Sequence, residues 1–132
     1  MLQRVLAGLL RIEGVDQAML IDDNGHLLAS VGDEGILPPL EKAIKITTAA
    51  LECAYASKIG DVFEIWCEGQ ERMMIDIASP NRIVVLSGKG GRLARWRLRF
   101  QVVKVVERGR RRAQEGVRVD RPRRRRRRLL QT

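Results

Sequence analysis

The chain has 132 residues, 45% of them hydrophobic, which fits one domain whose core needs neither metals nor disulfides. Residues 108–132 hold 12 Arg against 2 acidic residues, whereas residues 1–107 hold 13 basic and 14 acidic residues, so the net charge of +9 belongs to the C-terminal segment. Two cysteines and one histidine argue against a zinc site. No run approaches the ~18 apolar residues of a membrane span, and the short N-terminal apolar run lacks a signal-peptide cleavage site, which predicts a cytoplasmic protein.

The first third of the chain predicts a helix followed by a hairpin. Apolar residues recur at helical spacing from Leu2 to Ile12, and Gly14 is a typical helix end. Two strand-like runs follow at 17–23 and 26–31, joined by Asn24-Gly25. Asn-Gly favours the type I′ turn of a tight hairpin. Residues 32–38 are predicted to be a loop.

The stretch 39–59, closed by Gly60, predicts one helix of about five or six turns, and its apolar residues form two stripes. The first stripe faces a core and comprises Leu40, Ala43, Ile44, Thr47, Ala50, Leu51, Ala54 and Tyr55. The second lies on the opposite side and comprises Ile46, Ala49, Cys53 and Ala56, with Lys42 among them. A helix with two apolar sides must be covered twice, once by a sheet and once by another subunit. The alternative is that these small side chains tolerate solvent.

The second half of the domain predicts three strands and a final helix. The strands are at 62–68, 72–78 and 83–87, and the last is apolar throughout, as expected of a central strand. A glycine-rich loop at 88–91 precedes a helix at 92–107. The order α-β-β-α-β-β-β-α predicts an α+β fold with one five-stranded sheet covered on both faces. From 108 onward the sequence predicts a disordered Arg-rich tail.

Several of these segments resemble the Roadblock family, which includes the dynein light chains and the bacterial MglB-type regulators of small GTPases. The similarity covers residues 1–107 and includes Glu13-Gly14-Val15, the hairpin AMLIDDNGHLLAS, the Ala-rich central helix, the strand IVVLS and the glycine loop after it. The resemblance implies a profilin-like antiparallel sheet in the strand order 2-1-5-4-3. The central helix would cover one face and the terminal helices the other.

The resemblance also implies a homodimer in which the central helix and the third strand pair with their mates. The residues expected at that dimer interface are Ile46, Ala49, Cys53, Ala56, Val62, Glu64 and Trp66. The exposed part of the paired helices would bind the GTPase, through Glu41, Lys42, Lys45 and Glu52. These four charges could equally be ordinary solvated surface residues.

Motifs for catalysis, metals and cofactors are incomplete. The loop SGKGG at 87–91 lacks the Ser or Thr that follows the lysine in a phosphate-binding P-loop. The Asp22-Asp23-Asn24-Gly25 segment lacks the Gly and Glu positions of a calcium loop and is better explained as a turn. The sequence therefore predicts no enzyme, no cofactor and no metal site.

The Arg-rich tail is the strongest electrostatic feature. Its continuous run consists of Arg123, Arg124, Arg125, Arg126, Arg127 and Arg128. Such a run can bind nucleic acid nonspecifically or an anionic surface, or it can be a solvated end without a partner. The predicted function is a noncatalytic homodimeric adaptor that binds a small Ras-like GTPase and modulates its nucleotide cycle. The alternatives are a tail-driven association with nucleic acid or an anionic surface, and a purely structural scaffold.

Overall fold

The computed structural model describes residues 2–32, 38–79 and 82–115; the predicted six-arginine run lies outside these ranges. Three helices and five strands are present in the described ranges. In chain order they are α1 (Leu2–Leu9), β1 (Val15–Ile21), β2 (Leu27–Gly32), α2 (Leu40–Ser57), β3 (Glu64–Glu68), β4 (Arg72–Ser79), β5 (Arg82–Gly88) and α3 (Leu93–Glu115).

The five strands form one sheet in the order β2-β1-β5-β4-β3, and every neighbouring pair is antiparallel. The predicted α+β class and strand order are therefore confirmed. β5 is the central strand, as its apolar sequence indicated, and Leu86 pairs with Ala18 of β1 and Met74 of β4. β3 lies at one edge and pairs with β4 alone among the described strands.

Each face of the sheet has its own core, because alternate strand residues point to opposite sides. On one face α1 and α3 cover a cluster of Leu6, Leu9, Ile12, Val15, Ala18, Leu20, Met74, Leu86, Leu93, Trp96 and Phe100. On the other face α2 covers Met19, Ile21, Met73, Ile75, Ile83 and Val85 through Ala43. The predicted placement of the central helix opposite the two terminal helices is confirmed.

Helix α2 packs on the sheet through small side chains, since its buried residues are Ala43, Thr47 and Ala54. This register corrects the predicted core stripe, because Leu51 and Tyr55 are exposed. The helix also ends earlier than predicted: Lys58, not Gly60, adopts the left-handed conformation that closes it, with φ 54°. The cap N–H groups bond back to the last carbonyls of the helix, which fixes this end.

The turn between β1 and β2 is wider than the predicted type I′ turn. Gly25 has φ +82°, but Lys58 is the one non-glycine residue with positive φ in the described chain, so Asn24 does not meet the type I′ requirement. The Gly25 N–H bonds to the Asp22 carbonyl, as in a type I turn followed by a left-handed glycine. Asp22 stabilises the turn, because its Oδ1 accepts bonds from the backbone N–H groups of Asn24 and His26.

Helix α3 is attached to the sheet by apolar burial and two ion pairs. Trp96 is fully buried, and its Nε1 donates a 3.0 Å bond to the Glu13 carbonyl. Arg97 contacts Glu64 at 2.9 Å, and Lys104 contacts Asp76 at 3.4 Å. Burial raises the pKa of Asp76, and Lys104 opposes that rise. The helix continues to Glu115, beyond the end at 107 that periodicity predicted.

The contact between the start of β1 and the end of β5 generates a stability prediction. A Cβ on Gly88 would collide with the backbone of Gly14 and Asp16, neither of which can move without breaking strand pairing. Gly88→Ala should therefore lower the free energy of unfolding by about 2 kcal/mol or more. Urea denaturation followed by circular dichroism measures this change.

The matched control is Gly8→Ala in α1, where an added Cβ meets nothing within 4 Å. This change should raise stability by about 0.5–1 kcal/mol, because Gly weakens a helix. Equal effects of the two substitutions would show that the β1–β5 approach is not as tight as described.

Candidate interaction surface

The outward part of α2 and the neighbouring edge strand β3 carry most of the predicted site residues. One flank of the helix points toward β3 and presents Ala49, Cys53 and Ala56, all exposed, next to half-buried Ile46. Ile46 packs against the core beneath α2, together with Ile65 and Cys67 of β3. The uncharged side chains of this flank are called here the small-residue strip (Ile46, Ala49, Cys53 and Ala56), and Lys42 lies among them. Such a strip permits close approach of another backbone.

The remaining predicted interface residues lie on or before β3. They do not all lie on the side of the sheet that α2 covers. Val62 is half-buried in the segment before the strand. Glu64 accepts two bonds from Arg97 Nε, which places its carboxylate on the α3 side of the sheet. Strand alternation puts Trp66 on that same side, with 44% of its surface exposed. The structure thus brings the four helix residues together, while Glu64 and Trp66 lie across the edge strand from them.

The opposite flank of α2 exposes large apolar side chains that the sequence predicts in the core or assigns to no site. Tyr55 is 87% exposed, and Leu51 is exposed beside it. Ile59 and Phe63, from the segment between α2 and β3, are exposed as well. A helical wheel centred on Ala54, rather than on Ile44, moves Leu51 and Tyr55 toward the margin of the core-facing side. The small residues of α2 were the signal for that register.

A cavity of about 650 Å³ opens beneath this flank, between the C-terminal half of α2, the β1–β2 turn and the segment before β3. Its lining residues are Ile21, Asp22, Asp23, Gly25, Ile44, Thr47, Thr48, Leu51, Ala54, Tyr55, Gly60, Asp61, Val62, Phe63, Ile77, Ala78, Ser79 and Ile83. The lining carries three carboxylates and no basic side chain. Hydrogen bonds from the His26 backbone, and smaller effects of the His26 ring, lower the pKa of Asp22 and keep it anionic.

Thr47 is the one buried polar side chain of α2, with 4% of its surface exposed. Its hydroxyl has no hydrogen-bond partner among the described residues. A hydroxyl buried without a partner loses its bonds to water and gains nothing in return.

The predicted partner-binding charges are all exposed, and three of them form ion pairs. Lys45 contacts Glu41 at 3.1 Å along the helix, and Lys42 contacts Glu71 of the β3–β4 turn at 3.4 Å. Surface pairs of this kind contribute little to stability. Glu52 has no ion pair within the described part of the chain. The four side chains are therefore available to a partner.

Metal-ligand clusters and membrane-spanning helices are absent from the described residues. No group of three or more His, Cys, Asp or Glu side chains in these ranges could hold a metal ion. Within the same ranges, no helix has the length and apolar character needed to cross a membrane.

No family model matches the sequence, and no curated protein matches it. Solved structures do match its fold. The gliding protein MglB from Thermus thermophilus superposes with a TM-score of 0.63 at 23% identity, covering 76% of this chain and 81% of that one. The chain has the Roadblock fold.

Two further matches agree with this Roadblock assignment. An MglB in a tetrameric arrangement superposes with a TM-score of 0.62 at 24% identity, covering 76% of this chain and 80% of that one. A Roadblock/LC7 domain from Streptomyces avermitilis superposes with a TM-score of 0.59 at 17% identity, covering 79% of this chain and 92% of that one. The resemblance of the sequence segments to Roadblock proteins is thereby confirmed at the level of the fold.

Replacing the unpartnered hydroxyl of Thr47 should stabilise the domain. Thr47→Val keeps the side-chain shape and removes a buried polar group, so the free energy of unfolding should rise by about 1–2 kcal/mol. Thr48→Val on the exposed neighbouring position is the control and should change stability by less than about 0.5 kcal/mol. Chemical denaturation of both variants makes the comparison, and a less stable Thr47→Val protein would show that the hydroxyl has a partner.

Proposed function

We propose that this chain is a noncatalytic homodimeric adaptor that binds a small Ras-like GTPase through the outer surface of α2 and modulates its nucleotide cycle. The observation that carries the proposal is a long helix, in a Roadblock fold, that covers a sheet with one side and presents neutral and apolar side chains on both flanks. The sequence resemblance to Roadblock regulators of small GTPases supplies the class of partner.

The proposed dimer contact combines the small-residue strip with the open edge of β3. An edge strand has unpaired backbone N–H and C=O groups, and pairing with a second β3 would satisfy them. The small side chains of Ala49, Cys53 and Ala56 would let the two α2 helices lie close together above that junction. The fold match to an MglB in a tetrameric arrangement supports self-association, without specifying the surface.

The proposed GTPase contact lies on the part of α2 that such a dimer leaves uncovered. It combines the charged side chains of Glu41, Lys45 and Glu52 with exposed Tyr55 and Leu51 at the other end of the helix. Aromatic side chains dominate binding energy, while surrounding charges set association rate and specificity.

Helix α2 contains two lysines and no arginine, so it cannot supply an arginine finger. The effect on the nucleotide cycle would come from ordering the switch loops of the GTPase itself. In this mechanism the catalytic groups belong to the GTPase, and the adaptor supplies a rigid surface.

The dimer proposal is tested by placing a charge on the small-residue strip. Ala49→Glu should give a monomer at micromolar concentration, because dimerisation would bury a carboxylate without a partner. Ala7→Glu, at an exposed position of α1, is the matched control and should remain dimeric. Sedimentation equilibrium measures the masses. A monomeric wild-type protein would refute the dimer.

The GTPase proposal is tested by titrating the dimer against the Ras-like GTPases encoded in the same genome, each loaded with GDP or a GTP analogue. One of them should bind with a preference for one nucleotide state. Lys45→Glu should slow association severalfold without changing the melting curve, because charges at the rim of an interface mainly affect the association rate. Arg4→Glu on α1 is the control and should bind at the wild-type rate. The proposal fails if no GTPase binds in either state.

A further inference from the structure

The layer formed by α1, α3 and the segments beside them exposes a strong positive charge. Its exposed arginines are Arg4, Arg11, Arg92, Arg95, Arg97 and Arg99. Between Arg92 and Lys104 the layer has no acidic residue, and beside α1 the exposed carboxylate of Glu13 lies 3.8 Å from Arg95. Arg97 is paired with Glu64 of β3. On the other face of the sheet, α2 balances its exposed Lys42 and Lys45 with Glu41 and Glu52.

Helix α3 also carries an apolar patch on its outer side. Leu98 is 65% exposed and Val102 is 53% exposed, on successive turns of the helix. They lie opposite Trp96 and Phe100, which are buried against the sheet. Arg95 and Arg99 flank Leu98, so apolar and guanidinium groups alternate along this surface, called here the outer α3 face (Arg95, Leu98, Arg99 and Val102).

The excess of basic over acidic residues continues along the sequence after this face. From Arg92 to the last residue the chain has 16 Arg and one Lys against three acidic residues. The backbone of α3 continues to Glu115 as one helix, so the outer α3 face leads directly into the basic C-terminal sequence.

The geometry points to an anionic lipid bilayer as the partner of the outer α3 face. A helix at a bilayer surface inserts its apolar side chains among the acyl chains, and its basic residues attract anionic headgroups. Leu98 and Val102 have no neighbour in the described domain that covers them, and Arg95 and Arg99 are next to them.

A nucleic acid would use the arginines but leave Leu98 and Val102 without a role. Base stacking requires exposed aromatic rings, and both aromatic side chains of α3 are buried. The bilayer is therefore the partner that accounts for both the charge and the apolar patch.

This inference goes beyond the proposed function, and one part of it rests on the proposed dimer. If two sheets join edge to edge with both α2 helices on one face, both α3 helices lie on the opposite face. The two outer α3 faces could then engage one bilayer together, and linking two weak sites increases overall binding. The α2 surface would remain free on the side away from the lipid.

The test is sedimentation of the full chain with vesicles of equal parts phosphatidylcholine and phosphatidylglycerol. The wild-type chain should bind these vesicles and not vesicles of phosphatidylcholine alone. Leu98→Gln with Val102→Gln should lower partitioning about tenfold, because the apolar contribution is lost. Arg95→Gln with Arg99→Gln should lower it about fivefold per arginine. Leu51→Gln, an exposed leucine on α2, is the control and should bind as the wild type does.

Every altered side chain is exposed, so all variants should remain folded. Melting curves check this. Equal vesicle binding by the Leu98/Val102 variant would overturn the inference, because the basic tail would then act alone. Retention of the wild-type chain by duplex DNA, with no vesicle binding, would overturn it in favour of a nucleic acid. The Ala49→Glu variant separates the two proposals: face-dependent vesicle binding by this protein, even if it is weaker, supports the lipid site irrespective of the dimer.

Discussion

The sheet of this domain is apolar on both faces and must therefore be covered twice, and this requirement positions every surface of the molecule. α2 covers one face, and α1 with α3 covers the other. Each long helix uses one side for this purpose and leaves the other side to solvent. α2 buries Ala43, Thr47 and Ala54 against the sheet, and this register leaves Leu51 and Tyr55 exposed. The exposed surfaces thus follow from how the core is closed.

The strand order and the helix layers could be predicted because the sequence marks them locally. Asn24-Gly25 marks a hairpin, the run 83–87 marks a strand buried on both faces, and the alternation in 72–78 marks its neighbour. The exact turn geometry could not be predicted, because Asp22 bonds to two backbone N–H groups and stabilises a wider turn. Turn type depends on such side-chain contacts, which dipeptide statistics do not include.

The candidate surface was predicted less completely, for a physical reason. Helical periodicity gives the direction of each side chain but not how deep the helix lies, and burial at the edge of a stripe depends on that depth. Periodicity alone therefore predicts Leu51 and Tyr55 in the core. Strand alternation at an edge strand predicts that Glu64 and Trp66 share one side of the sheet, but not which side. That side depends on the position of α3 and the contact of Glu64 with Arg97.

Net charge counted along the chain conceals the separation of charge in space. Residues 1–107 are almost neutral, yet the arginines of α1 and α3 collect on one face and most carboxylates lie elsewhere. The two exposed helix surfaces therefore differ in kind. The flank of α2 toward β3 carries mostly small uncharged side chains, with Lys42 among them, which suits close contact with another polypeptide. The outer α3 face combines apolar and guanidinium groups, which suits a surface rich in phosphate. Because the sheet lies between these surfaces, a partner bound to one leaves the other accessible. A domain of this design can bind a polypeptide on the α2 side while the outer α3 face contacts a phosphate-rich surface.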